Sequence, residues 1–353
     1  MDMGARIAAR IDALTPAVTR KEFATRVGMT PDALSRALNG QRGFASLELV
    51  KIADELKADI HELITGEANP HQVVVNARHD YDHDTAKRSV PTFDDDKKAL
   101  EDICIAYAQA ELPEREHRVV GCDPAIIRDF LGPEFVRPFA DRIEERLLVD
   151  VIRLNDLGTA YSGVVSGRAF IAIPTTGSWF RENWDLAHEL AHVAGLDSEA
   201  EANAFAANLL LPEDLVRSVD WASASQEAIA DFLWQTGIST AALKIRLETL
   251  GIPVTDSSDV LAQNTQRALR RARSWSSEFG DKITMRMESA SRRRFPIALQ
   301  EAHEVGVEEG RLGPAYLAWM RGVEPELIAE AYAPEIEDPE VQELAAAFGL
   351  AVD

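Results

Sequence analysis

Two histidines four residues apart, with a glutamate directly after the first, are the residues of this chain best suited to chemistry. They are His188, Glu189 and His192, in the run WDLAHELAHVAGLDSEAEANAFAANLLLP. On a helix, positions i and i+4 share a face, so both imidazoles can hold one Zn²⁺. Glu189 then stands beside the metal, placed to take a proton from a water activated there. Leu186, Ala187, Leu190, Ala191 and Val193 are good helix formers and give that helix an apolar face. The plainer alternative is a buried helix with two incidental histidines.

Spacing alone leaves the third ligand open. HELAHVAGLDS nearly matches H-E-x-x-H-x-x-G-x-x-H, but Ser198 occupies the last place and is a poor zinc ligand. Asp197 comes one residue early. A glutamate on a following helix is the other solution, and Glu199 and Glu201 both qualify. Ser198 reads as the cap of that helix, with Glu201 as its capping-box acid. Glu199 is then free to face the metal, and Asn203, one turn on, is placed to orient a histidine. This reading favours Glu199 over Glu201 and Asp197. Zinc is the expected cofactor, with manganese as the alternative.

The elements that must position these groups follow from periodicity and caps. Leu148–Leu154 and Ala160–Pro174 read as strands, because Val151, Ile152, Val164, Val165, Phe170, Ile171 and Ile173 are strand formers. Ala169–Ile173 is the candidate sheet edge for adding an extended peptide as a further strand. Tyr161, Arg181 and His303 are candidates for stabilising a developing oxyanion. The phrase after the second histidine, with Glu199, Ala202, Asn203, Phe205, Ala206, Leu209, Leu210 and Pro212, resembles the ImmA/IrrE metallopeptidase family. Arg181 falls at that family's arginine position. Leu211 stands where methionine is usual, and the gap from His192 to Glu199 is short for the family. The resemblance spans roughly residues 98–252. It implies a zincin-like domain in which His188, His192 and Glu199 hold zinc and Glu189 is the general base. It also implies cleavage of a transcriptional repressor, in stress response or mobile-element control.

Five short helices are expected before residue 66. Thr19 with Glu22 is a capping box, Thr30 caps a helix with Pro31 at its first position, and that helix stops at Asn39-Gly40. Ser46 is read as the cap of a fourth helix, and Asp59 with Glu62 as the start of a fifth. Phe23, Ala24, Val27, Leu34, Leu38, Leu47, Val50, Ala53, Leu56, Ile60 and Leu63 supply the expected core. The second and third helices, joined by a tight turn around Gly28, have helix-turn-helix spacing. The run TRKEFATRVGMTPDALSRALNGQRGFASLELVKIADEL resembles the XRE-type (Cro/C1-like) helix-turn-helix family. By that resemblance Thr30, Asp32, Ala33, Ser35 and Arg36 face a DNA major groove, while Arg20, Lys21, Asn39, Gln41 and Arg42 meet phosphates or flank the groove. Arg20 replaces the glutamine many members carry, and Asp32 is an unusual acid for that place.

Charge sets limits on all of this. The 353 residues carry a net charge of −22, which excludes non-specific nucleic-acid binding through the whole surface. Residues 1–65 hold nine basic and nine acidic groups, so the excess falls entirely on the remainder. Within that remainder, residues 265–294 hold nine basic groups against three acidic ones, read either as neutralising acidic neighbours or as a phosphate- or partner-binding patch. Cys104 and Cys122, with no CxxC, exclude a disulfide framework and a cysteine-built zinc site. No apolar run suits a membrane span or a signal peptide, so a cytoplasmic chain without membrane contact is expected.

The expected fold class is mainly α with a small β-sheet (α+β). It comprises a helix-turn-helix domain at 1–66, a linker at 67–97, a metallopeptidase domain at 98–252 and a helical domain at 253–353 for sensing, dimerisation or partner binding. The expected function is a DNA-binding transcriptional regulator with a zinc-dependent peptidase domain. Its partners would be a double-stranded operator, a protein substrate such as a repressor, and a second copy of the chain, since a neutral domain needs two half-sites for affinity. The alternative is a regulator or antitoxin whose metallopeptidase fold is a non-proteolytic module that senses a signal or binds a cognate toxin.

Overall fold

The computed structural model describes residues 2–56, 58–66, 74–77, 80–82, 87–89, 93–253, 258–271, 276–277 and 280–333. It divides into two compact units, Met1–Gln72 and Val73–Asp353. Most of 67–97, read above as a linker, lies outside the described residues.

The first unit is five helices: α1 (Met3–Asp12), α2 (Arg20–Arg26), α3 (Pro31–Leu38), α4 (Ser46–Leu56) and α5 (Ile60–Thr65). Local chemistry starts most of them. Thr19 and Glu22 make both halves of a capping box, Thr30 accepts from Ala33 N at 3.2 Å, and Asp59 accepts from Glu62 N at 3.0 Å. Ser46 is the first helical residue of α4 and not its cap; Glu48 instead reaches back to Ala45 N at 2.9 Å. The core contains Phe23, Leu34, Ala53 and Leu63 as expected, together with Ile7, Ile11, Met29 and Ile52. Leu47 and Val50 are exposed, 75% and 42%, contrary to the expected core, because α4 buries the Ile52–Ala53–Leu56 face.

The second unit is built around one small sheet. Its strands are β1 (Val74–Ala77), β4 (Asp150–Leu154), β5 (Tyr161–Val165) and β6 (Arg168–Pro174), in the order β1-β5-β6-β4. Two further pairs, β2 (Asp80–Asp82) with β3 (Lys87–Ser89) and β7 (Ser276–Ser277) with β8 (Gly280–Asp281), form separate ribbons. β5 and β6 are a hairpin whose turn residues, Ser166 and Gly167, have φ of 47° and 67°. Such left-handed pairs match the twist of flanking strands. β6 runs parallel to β4 and antiparallel to β5, so it is paired on both sides. Ala169–Ile173 is therefore interior and cannot accept a further strand. Strand order depends on distant pairing, which the local pattern does not reveal.

Helices cover both faces of the sheet. They are α6 (Phe93–Ala110), α7 (Pro124–Leu131), α8 (Phe139–Arg142) with a π-turn at Ile143–Leu147, α9 (Trp179–Val193), α10 (Glu199–Leu210), α11 (Glu213–Arg217), α12 (Gln226–Thr236), α13 (Thr240–Thr249), α14 (Ser258–Leu261), α15 (Thr265–Arg271), α16 (Lys282–Ala290), α17 (Ile297–Glu308), α18 (Ala315–Arg321) and α19 (Pro325–Ala331). Successive side chains of β6 point to opposite faces. Ile171 and Ile173 join Val149, Val151, Leu186, Leu190, Phe205 and Leu209 in the larger core. Phe170 and Ala172 join Ile103, Tyr107, Ile152, Leu154, Tyr161 and Leu299 in the smaller one. The parts after residue 252 share these same cores: Leu269 and Ile283 lie in the first, Phe295 and Met320 in the second. The fold is mainly helical with a small sheet, in keeping with the α+β expectation.

Candidate metal centre

α9 carries the histidine pair through the middle of the larger core. From Asp185 to His192 every residue of this helix is buried. His188 and Glu189 are wholly buried and His192 is nearly so. The imidazoles meet at 70°, with Nε2 of His188 and Nε2 of His192 3.2 Å apart. One ligand atom from each of His188, Glu189 and His192 lies within 4.8 Å of the others.

The far side of each ring is held by oxygen. His192 Nδ1 lies 2.6 Å from the carbonyl of Leu196. A carbonyl only accepts, so Nδ1 of His192 donates and Nε2 keeps its lone pair. His188 Nδ1 lies 3.2 Å from Asn203 Oδ1, which sets the same tautomer. Two lone pairs then face each other at 3.2 Å. That arrangement repels unless a cation or proton sits between them, so the donor set fits a divalent metal.

α9 ends so that the next helix can close this site. Leu196 N donates to Ala191 O and Gly195 N to His192 O, both at 3.0 Å, with Gly195 at φ +89°. This Schellman turn needs a left-handed residue at Gly195. α10 then starts at Glu199, whose carboxylate lies 3.3 Å from His188 Nε2 and 3.7 Å from His192 Nε2. Glu199 is thus the acid brought to both imidazoles, while Asp197 and Glu201 are exposed. Ser198 occupies the N-cap position of α10 but makes no side-chain cap bond, so the expected Ser198–Glu201 capping box does not form.

Two of the three candidates for an oxyanion partner lie elsewhere. Tyr161 donates to Asp96 at 2.6 Å and His303 is held by Ala106 O at 2.8 Å, both across the sheet from α9 in or beside the smaller core. Arg181 is on α9 but is more than half exposed, 3.7 Å from Asp185. The partner that sequence reasoning missed is the Leu196 carbonyl. No side-chain type marks a backbone acceptor.

The groups expected to meet DNA belong to the first unit. Thr30, Asp32, Ser35 and Arg36 are exposed on or beside α3, with Ala33 half-buried. Arg20, Lys21, Asn39 and Gln41 are exposed, and Arg20 lies 3.1 Å from Asp12. Arg42 is engaged internally: it donates to both Glu48 carboxylate oxygens at 2.7 Å and to Ala33 O at 3.1 Å. It braces the loop after α3.

A protein-family model described as the IrrE N-terminal-like domain, Peptidase_M78, matches residues 144–248. That stretch runs from the turn before β4 to α13 and contains the whole candidate centre. No curated protein and no solved structure matches the chain.

Proposed function

We propose that this chain is a metal-dependent peptidase fused to a DNA-binding domain, and that it regulates transcription by cleaving a partner protein such as a repressor. The observation that carries the reading is the buried pair of Nε2 atoms with a Glu189 carboxylate oxygen within 4.8 Å and the Glu199 carboxylate against both. His188, His192 and Glu199 would hold the metal, zinc or manganese. Bound there, it supplies the Lewis acidity that polarises a scissile carbonyl. Glu189 accepts the proton of the attacking water and delivers it to the leaving amine nitrogen. Asn203 and the Leu196 carbonyl keep the two imidazoles in the right tautomer.

The operator contact is assigned to the exposed face of α3, with Arg36 as its basic reader and Arg20 and Lys21 toward the phosphates. A homodimer on a two-fold operator would supply the affinity that one neutral domain lacks. Placement of the chain in the cytoplasm accords with Cys104 and Cys122 forming no disulfide; among the described residues no helix is long and apolar enough to cross a membrane.

Metal content and cleavage test the peptidase part together. The wild type should hold one metal per chain after zinc reconstitution, and His188→Ala should hold none. Glu189→Ala should keep the metal and lose cleavage of the cognate partner. Cleavage that survives in Glu189→Ala would remove the general-base assignment; wild-type protein that takes up no metal would leave the domain as a sensing or toxin-binding module. For the DNA part, Arg36→Ala should weaken operator binding in a gel shift by tenfold or more, with metal content unchanged. Equal affinity would take Arg36 off the reading face.

A further inference from the structure

Among the described residues, three arginines of the basic stretch 265–294 pair with carboxylates. Arg270 pairs with Asp281, Arg294 with Asp141 at 2.8 Å and with Glu144, and Arg293 reaches Asp156 at 3.6 Å. These neutralise acidic neighbours. Arg286 does not. Its guanidinium lies 4.9 Å from the ring centre of Trp179 and 5.3 Å from that of Trp234, and Nη2 donates to Val136 O at 2.8 Å. Among the described residues it has no carboxylate within ion-pair distance, although the charge of Glu182 reaches it. Burial, and then the charge of nearby Arg137, lower its pKa to about 9, which leaves it charged at neutral pH.

Arg286 lines a cavity of about 210 Å³ between α8, β4, α9 and α16, together with Arg137, Arg153, Arg294 and Trp179. Four of these lining residues each hold a buried N–H without an acceptor: Arg153 Nε, Arg286 Nη1, Arg294 Nε and Trp179 Nε1. Two carboxylates also line the space, but each is already engaged, Glu182 by Arg153 and Asp141 by Arg294. Arg137 reaches only as close as 3.6 Å to the exposed Glu134. The lining therefore sets four guanidiniums against two carboxylates, with Glu144 behind Arg294, and Arg286 is the one of the four without an ion pair within 4 Å among the described residues. A buried unmet donor costs free energy, which an anion in the cavity recovers where a guanidinium turns such an N–H toward it. Guanidinium groups match oxyanions of tetrahedral geometry, which offer several acceptor oxygens at once.

We propose that this cavity binds a phosphate-class oxyanion, either inorganic phosphate or the phosphoryl end of a small phosphomonoester, through Arg137, Arg153, Arg286 and Arg294. Trp179, Glu182 and Asn183 of the lining belong to the first turns of α9, the helix that carries His188 and His192 further on. An anion here braces the entrance of that helix. The site stands independently of whether the metal centre cleaves peptides.

The test uses the full-length chain. Inorganic phosphate is titrated by calorimetry and by tryptophan fluorescence, with potassium chloride at matched ionic strength as the control. Saturable binding near one per chain is expected, with a fluorescence change because Trp179 and Trp234 flank Arg286, and with a Tm rise that chloride does not reproduce. Arg137→Ser, at a side chain 28% exposed, should weaken binding at least tenfold, as should Arg286→Met, with circular dichroism checking that each variant is folded. Glycerol phosphate in place of phosphate separates the sources: tighter binding assigns the site to a phosphomonoester, equal or weaker binding to free phosphate. No saturable binding, a Tm shift that chloride equals, or unchanged affinity in folded Arg137→Ser would overturn the proposal.

Discussion

His188 and His192 differ from an ordinary pair of core histidines in what their Nδ1 atoms touch. A buried neutral histidine needs one acceptor for its N–H, and His303 shows the usual solution, a single bond to a backbone carbonyl. In the α9 pair each Nδ1 has its own oxygen, so both Nε2 atoms are turned toward one point. Asn203 is the side chain in that arrangement whose role can be separated from binding itself. Asn203→Ala removes the acceptor at His188 Nδ1 without touching a ligand. It should lower metal affinity by about 10–100-fold, the usual loss when such a partner goes. Asn203→Asp keeps an acceptor and should restore most of it. Competition with a chromophoric chelator measures both. Full affinity in Asn203→Ala would mean that the protein does not need the amide to orient the ring.

The turn between α9 and α10 converts helix geometry into a third ligand. Its Schellman bonds place the Leu196 carbonyl against His192 and start α10 with Glu199 facing both rings. Gly195 lies at φ +89°, and no atom would crowd an added Cβ within 4 Å. Gly195→Ala should therefore cost about 1 kcal/mol from backbone strain alone. Urea unfolding of the metal-free protein reads this cost, and a neutral result would mean that the turn relaxes into another form. Elements of this local kind were legible in the sequence: the Thr19–Glu22 box, the Thr30–Pro31 start and the i, i+4 histidines all act within one turn of helix. What was misread depends on distant partners. Leu47 and Ile52 are both apolar residues of α4, and only packing within the five-helix core selects Ile52 for burial. β6 reads as a strand wherever it lies in a sheet, and its interior place comes from parallel pairing with β4. Ser198 has the extended backbone of an N-cap, φ −88° and ψ 128°, yet its hydroxyl makes no cap bond.

At the scale of the molecule, the sheet stands between two cores, and the region after residue 252 contributes to both. Val260, Leu261, Ala268, Leu269, Ile283 and Ala290 are buried on the α9 side, while Phe295, Leu299 and Met320 are buried on the α6 side. Arg153 of β4 depends on the same region: it exchanges two backbone bonds with Arg294, at 2.9 and 3.0 Å, and its guanidinium donates to the carbonyls of Ser289 and Arg292. A chain ending at Ile252 would lose those side chains, uncover the apolar residues they pack on in both cores and strip Arg153 of these partners. Full burial of a large apolar side chain is worth about 1.5–3 kcal/mol, so losing several exceeds the net stability of about 5–15 kcal/mol that a typical domain retains. Residues 1–252 expressed alone should therefore lack a cooperative thermal transition for the second unit, and hydrogen exchange should find β4 and β6 unprotected. If β4 and β6 stay protected and that unit melts at the full-length Tm, the region after 252 is an independent domain and its share of the two cores is dispensable.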